Sequence, residues 1–260
     1  MEFEFQKYHG TGNDFILIND KSEKFPLHNS DRIRFLCDRK FGIGADGLII
    51  IRNHDKFDFE MFYFNSDGMQ GSLCGNGSRC ALAFGINNNL FKNKVVFKAI
   101  DGIHTAKTES NNIFSLSFKD VKTIKRDKNA LFLDTGSPHY VELVESIDDI
   151  NVRAKGSLIR NSNRYKNNGV NVNFFKIIGP DTIKIRTYER GVEDETLSCG
   201  TGAVASSIAF HFLQLTKFDK LKVETPGGTL AVEFKFNSGI YKDIYLKGPA
   251  EKVFSGKIKW

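Results

Sequence analysis

Cysteine, methionine, proline and tryptophan are scarce in this chain: 260 residues hold 4 Cys, 3 Met, 5 Pro and 1 Trp. Four cysteines are too few for a secreted disulfide scaffold, so free thiols in a reducing cytoplasm are expected. Cys74 and Cys80 have no second close pair, and no histidine cluster lies near Cys199, so a zinc or other metal site is not expected. No apolar run approaches the roughly 18 residues of a membrane helix. The opening Met1-Glu2-Phe3-Glu4-Phe5-Gln6-Lys7 lacks the basic and apolar regions of a signal peptide. The expectation is a cytoplasmic protein with no membrane partner. The net charge of +6 comes from scattered residues such as Lys92, Lys94, Lys122, Lys125, Lys128 and Lys155. No basic stripe is interleaved with stacking aromatics, so nucleic acid is not an expected partner, and a small anionic substrate ranks ahead of it.

What is present is an ordinary globular composition, 40% apolar and 26% charged, with 24 Phe that read as core packing. The length suits one large domain or two of about 130 residues. Two stretches look like copies of each other. Leu73-Cys74-Gly75-Asn76-Gly77-Ser78-Arg79-Cys80 and Ser198-Cys199-Gly200-Thr201-Gly202-Ala203 each set a cysteine before Gly-x-Gly, ahead of small and apolar residues that read as helix. A thiol there sits where backbone N–H groups and the helix dipole favour negative charge.

Their surroundings repeat as well. Strands are expected at 2–8 and 15–19, joined by His9-Gly10-Thr11-Gly12-Asn13-Asp14, then a helix of about ten residues capped at Ser30-Asp31. Cys37, within that helix, reads as a packing thiol. Gly42-Ile43-Gly44 precedes an apolar strand from Leu48 to Ile51. It is not a dinucleotide fingerprint, which follows a strand and opens a helix. A strand at 58–64 ends in the turn Asn65-Ser66-Asp67-Gly68. After the helix from Gly75 come strands at 94–99, 102–108 and 113–118. Lys119 to Asn129 is polar and reads as a linker. Beyond it, Thr135-Gly136-Ser137 matches Thr11-Gly12-Asn13, Gly169-Val170-Asn171 matches Gly42-Ile43-Gly44, and strand 182–188 ends at Glu189-Arg190-Gly191. Cys199 then falls 125 residues after Cys74. Landmarks in one order at nearly constant offset argue for internal duplication. Strands at 221–225, 229–236 and 241–247 complete the second half. The tail from Ala250 to Trp260 has no counterpart ahead of the linker and is placed back on the first half.

The expected fold is α+β: two pseudo-symmetric halves, 1–118 and 119–249, each a mostly antiparallel sheet wrapped round a central helix, with the site in the cleft between them. Two thiols facing one ligand across such a cleft can invert a carbon. A thiolate removes a proton from one face, and a thiol delivers one to the other. Gly75-Asn76 and Gly200-Thr201 offer N–H groups to a carboxylate on that carbon, stabilising the charge that develops. His139 and Glu189 are the titratable groups placed to tune the thiols, and Arg190 could clamp a second carboxylate in bidentate fashion. Against this stands a plain reading. Either cysteine alone could be an inert capping residue, His139 a satisfied strand-end histidine, and Glu189-Arg190 a surface ion pair.

At these residues the sequence resembles the diaminopimelate epimerase family. The likeness rests on His9-Gly-Thr-Gly-Asn-Asp-Phe15, Phe64-Asn-Ser-Asp-Gly68, Cys74-Gly-Asn-Gly-Ser-Arg-Cys80, Gly136-Ser-Pro-His139, Tyr188-Glu-Arg-Gly191 and Cys199-Gly-Thr-Gly-Ala203. It implies a cofactor-independent epimerase of lysine and peptidoglycan precursor synthesis, with Cys74 as proton donor and Cys199 as proton acceptor. It implies that Asn13, Asn65, Asn171 and Arg190 contact a small dicarboxylic diamino acid, that Glu189 and His139 tune the thiols, and that the protein is a homodimer. Gly47 stands where the family often has a substrate-binding Gln, and Ser137 where it has an Asn. Readings left open are a racemase of another amino acid, such as proline or hydroxyproline, a non-catalytic anion binder, and a thiol–disulfide oxidoreductase, though the last lacks C-x-x-C.

Overall fold

The computed structural model describes residues 2–71, 73–110 and 112–259. The chain divides into two compact units. The first runs to Leu116 and resumes at Gly248, and the second is Ser117–Lys247.

The first unit contains β1 (Glu2–Gly10), β2 (Asn13–Asn19), α1 (Ser30–Cys37), β3 (Gly47–Arg52), β4 (Phe59–Asn65), α2 (Gly75–Asn87), β5 (Lys94–Ala99), β6 (Gly102–Ser110) and most of β7 (Ile113–Phe118). Along this series the pairings run antiparallel, parallel, antiparallel, parallel, antiparallel and antiparallel. The second unit contains β8 (Ile124–Asp127), β9 (Ala130–Asp134), β10 (Pro138–Leu143), α3 (Val152–Arg160), β11 (Asn171–Ile177), β12 (Thr182–Glu189), β13 (Asp194–Thr196), α4 (Gly200–Phe212), β14 (Lys220–Thr225), β15 (Gly228–Asn237) and most of β16 (Ile240–Pro249). From β9 to β16 the pairing order is the same as in the first unit, with β13 added as a short hairpin partner of β12. The duplication read from a few glycine-rich landmarks is thus a duplication of topology. It also corrects one equivalence. Gly44 and Gly169, both at positive φ, match each other just ahead of β3 and β11, where the sequence reading aligned Gly169 with Gly42.

Two other expectations change. The segment 119–129 is not a plain linker. β8 pairs antiparallel with β9, Val121 is buried, and Ile124 packs on the second unit's core. Its lysine and arginine belong to an outer strand, where charge is tolerated and blocks further pairing. The counterpart of the tail lies within the segment read as a linker. β17 (Glu251–Lys259) pairs antiparallel with β1, the position that β8 takes beside β9. In each unit the first strand of the hairpin, β1 or β9, is therefore flanked by one outer strand, supplied in the first unit by the far end of the chain.

The helices lie on opposite faces of each sheet because alternate strand residues point opposite ways. α2 is buried from Gly75 to Gly85, and α4 from Gly202 to Phe210. A helix apolar or small all round is one that a sheet encloses. On the other face, Ile33, Leu36 and Cys37 of α1 pack on Ile16, Ile18, Leu48 and Ile50. Val152 of α3 packs with Val170, Val172 and Phe174. Burial pushes the Cys37 thiol up to about 12, which fits a packing role. The α1 cap is Asn29, whose side chain accepts from Arg32 N–H, rather than the expected Ser30-Asp31. Phenylalanine fills both cores: Phe15, Phe59, Phe97, Phe174, Phe175 and Phe210 are fully buried.

Candidate active site

In the first unit Cys74 is the N-cap of α2, with φ −99° and ψ 117°. This extended backbone turns the sulfur over the first helical turn, where it accepts a hydrogen bond from Gly77 N–H at 3.4 Å. Cys74 Sγ lies 3.6 Å from Asn13 Oδ1, and Asn76 Nδ2 donates to the same oxygen at 3.2 Å. The Asn13 amide is fixed from behind, since its Nδ2 donates to Asp46 Oδ2 at 2.7 Å. Arg39 holds Asp46 and Asp14 together, and Lys7 adds a bond to Asp14 at 2.9 Å. Burial works against the Asp14 carboxylate, but Arg39 and Lys7 hold its carboxyl well below the usual range. Asn13, Asn76 and Cys74 are thus brought together, with the Asn13 oxygen toward the thiol.

Behind this helix start lies a group the sequence reading did not single out. Arg79 is 1% exposed. It donates to Asn76 Oδ1 at 2.8 Å, to Thr11 Oγ1 at 3.4 Å, and to the Gly75 and Pro249 carbonyls. No carboxylate pairs with it among the described residues. Burial lowers its pKa only to about 10, so it remains a cation at neutral pH. A positive charge here reinforces the helix terminus as a place for an anion. Asn65 and Gly47 are register partners on β4 and β3, with no side chain at Gly47 to reach a ligand.

In the second unit Cys199 caps α4 in the same extended conformation, φ −114° and ψ 110°. It is buried, 3.4 Å from Thr201 Oγ1, and hydrogen-bonded to the Glu189 carboxylate. Burial first, and the Glu189 charge second, push this thiol well above its ordinary value. At rest Cys199 is therefore a thiol with a proton acceptor beside it. Glu189 also accepts from Thr196 Oγ1 at 2.6 Å. Asn171 Oδ1 accepts from Arg190 N–H at 2.9 Å, and the exposed Arg190 side chain reaches the Asn168 carbonyl at 2.7 Å. Ser137 belongs to the turn whose Thr135 donates to the Thr201 carbonyl at 2.9 Å, anchoring that turn to the first turn of α4.

His139 is wholly buried on β10. Burial, reinforced by the Arg190 charge, lowers its pKa to about 3, so the ring is neutral. Its partner is Asn173, whose Nδ2 lies 2.9 Å from Nδ1, and it bonds neither thiol among the described residues. Asn173 was missed from the sequence. The available signal was a polar residue within the apolar run of β11, on the α4-facing side. A Cβ at Gly202 would lie 2.3 Å from Asn173 Oδ1 and 3.2 Å from Cys199 Sγ, which explains the second glycine of the motif. Among the described residues no group of three or more His, Cys, Asp or Glu could hold a metal ion. No described helix is long and apolar enough to cross a membrane.

A family model described as diaminopimelate epimerase matches residues 5–116 and 131–253. The chain is 48% identical over 252 residues to a diaminopimelate epimerase of Flavobacterium psychrophilum, covering 97% of this chain and 98% of that protein. It is 39% identical over 274 residues to that of Aquifex aeolicus, covering 98% and 97%. Among solved structures, a phenazine biosynthesis protein of the PhzF family from Bacillus anthracis superposes with a TM-score of 0.79, covering all of both chains at 12% identity. That likeness shows the fold alone.

Proposed function

The chain belongs to the diaminopimelate epimerase family, and from that premise we propose that it interconverts LL- and meso-2,6-diaminopimelate, in lysine and peptidoglycan precursor synthesis, by a two-thiol proton transfer without a cofactor. The observation that carries this reading is the repetition of one device. Topologically equivalent helices, α2 and α4, are both capped by a cysteine and both open on Gly-x-Gly.

The steps follow from the groups around each sulfur. Cys199 passes its proton to Glu189, its hydrogen-bond partner, and becomes the base. The thiolate takes the substrate Cα proton, and the electron pair left on carbon spreads into the attached carboxylate. N–H groups at Gly75-Asn76 and Gly200-Thr201 hold that carboxylate, where they act most strongly as its charge grows. Cys74 then donates its S–H proton to the opposite face of the carbon. One C–H bond is broken and one formed, with inverted configuration, and the reverse reaction exchanges the two roles. Asn13, Asn65, Asn171 and Arg190 are the proposed substrate contacts. Gly47 contributes backbone only, and Ser137 a hydroxyl where an amide is usual. His139, neutral and buried, shapes the Cys199 side of the site. The same reading carries the homodimer implied by the resemblance and the cytoplasmic setting expected from the few free cysteines, and sedimentation of the purified chain checks the oligomeric state.

The test is α-proton exchange of diaminopimelate in heavy water, alongside a panel of other amino acids including proline. The expected result is exchange on diaminopimelate accompanied by epimerisation, with the epimerisation abolished by Cys74→Ala and by Cys199→Ala. Epimerisation surviving either change would overturn the mechanism, and exchange on another panel member alone would reassign the substrate.

A further inference from the structure

Gly47 leaves a gap in the chemistry, and Tyr63 fills the gap in space. Tyr63 and Asn65 point to one face of β4. Their register partners on β3 are Ile49 and Gly47, which share that face. The face looks toward the first turn of α2, where Ile49 Cδ1 would lie 2.9 Å from a Cβ at Gly77. The Tyr63 ring leans along the strand over Gly47. A Cβ at Gly47 would lie 2.6 Å from Tyr63 Cε2 and 2.5 Å from the Phe64 carbonyl oxygen, so no side chain fits there. The opposite edge of the ring is cleared by a second glycine. A Cβ at Gly71 would lie 2.7 Å from Tyr63 Cε1. Edge-to-face packing on the fully buried Phe15, at 6.0 Å between centroids, holds the ring in place.

Held this way, Tyr63 donates its hydroxyl hydrogen to Asn65 Oδ1 at 2.7 Å. The amide oxygen is thereby engaged, and the nitrogen makes no hydrogen bond among the described residues. Gly71 keeps that nitrogen uncovered, since a Cβ there would lie 3.0 Å from Asn65 Nδ2. We propose that Tyr63 is a positioning residue that fixes the Asn65 amide with its nitrogen presented to the substrate, so that this position donates to a carboxylate rather than accepting from an ammonium group. Gly47 and Gly71 are the clearance that the ring requires. The proposal rests on the epimerase reading, in which Asn65 touches substrate.

The experiment compares the parent with Tyr63→Phe, Asn65→Ala and the double variant, measuring kcat and KM for α-proton exchange on whichever panel amino acid the parent turns over. Tyr63→Phe keeps the ring and its packing, so the urea midpoint stays unchanged. With the hydroxyl gone the amide is free to turn. KM is expected to rise about fivefold to tenfold, the size of one net hydrogen bond, with kcat within about twofold. In the Asn65→Ala background the same change should add nothing. An unchanged KM in Tyr63→Phe, or an equal rise with Asn65 absent, overturns the proposal while leaving the function intact. A parent with no exchange on any amino acid overturns the function, and the proposal with it.

Discussion

Asn173 donates its amide nitrogen to His139 Nδ1 at 2.9 Å, while its oxygen accepts from Thr187 Oγ1 at 3.0 Å. The hydroxyl donor fixes the amide orientation. The amide in turn makes Nδ1 an acceptor, which places the ring hydrogen on Nε2. Nε2 is buried with no partner among the described residues. His139 is thus held as a neutral donor with an unused N–H.

The first prediction concerns this pair. The unfolded chain protonates His139 below about pH 6.5. The folded chain does so only near about pH 3. Between these values the unfolded state binds the extra proton. Stability is therefore complete above the unfolded pKa and falls as pH drops toward the folded one. Asn173→Asp places a carboxylate against Nδ1, which should draw the ring hydrogen to Nδ1 and raise the histidine pKa. The expected outcome is imidazole nitrogen shifts of the opposite tautomer, and a weaker loss of urea stability on going from pH 7 to pH 5. Asn173→Ala should cost about 3 kcal/mol, since it leaves buried polar partners unsatisfied.

A second prediction follows from Arg79, a buried cation with only neutral acceptors. Arg79→Met leaves the Asn76, Thr11, Gly75 and Pro249 acceptors short of a donor, so it should lower urea stability by about 2 kcal/mol and leave the chain folded. It should still weaken the anion site, because Asn76 loses its 2.8 Å partner and the helix start loses a positive charge. In a Cys199→Ala background, the pH at which iodoacetamide alkylates Cys74 should move upward. Exchange activity in the otherwise intact chain should fall by at least about tenfold. Unchanged alkylation with lost activity would assign Arg79 to substrate binding alone.

The central parts of this molecule were legible because they are local. A cysteine followed by Gly-x-Gly and small apolar residues announces a capped, enclosed helix, and α2 and α4 begin where that pattern places them. Strands with period-two alternation, such as 94–99, emerge with their expected bounds. What escaped depends on distant partners. β8 is charged because it is an outer strand, and only β9 reveals it as a strand at all. α3 carries two buried residues, Val152 and Gly156, too few to mark a helix by periodicity. Asn173, Arg79 and Tyr63 read as one more polar residue in a strand, a helix cation and a core aromatic. Their roles appear once Thr11 meets Arg79 across 68 residues and His139 meets Asn173 across 34.

The last prediction separates chemical reactivity from catalysis at Cys199. The Glu189 charge raises this thiol, second only to burial. Glu189→Gln removes the charge while keeping a hydrogen-bonding side chain of the same shape. The thiol should therefore become more acidic, and its alkylation at neutral pH faster, in a Cys74→Ala background. In the chain with both cysteines, exchange should move the other way and fall by about a hundredfold or more, because the group that receives the Cys199 proton is gone. A residue that merely packed against the sulfur would leave both rates nearly unchanged. One that only activated the thiol would lower both. Opposite movement of the two rates is expected only if Glu189 both burdens the resting thiol and accepts its proton during turnover.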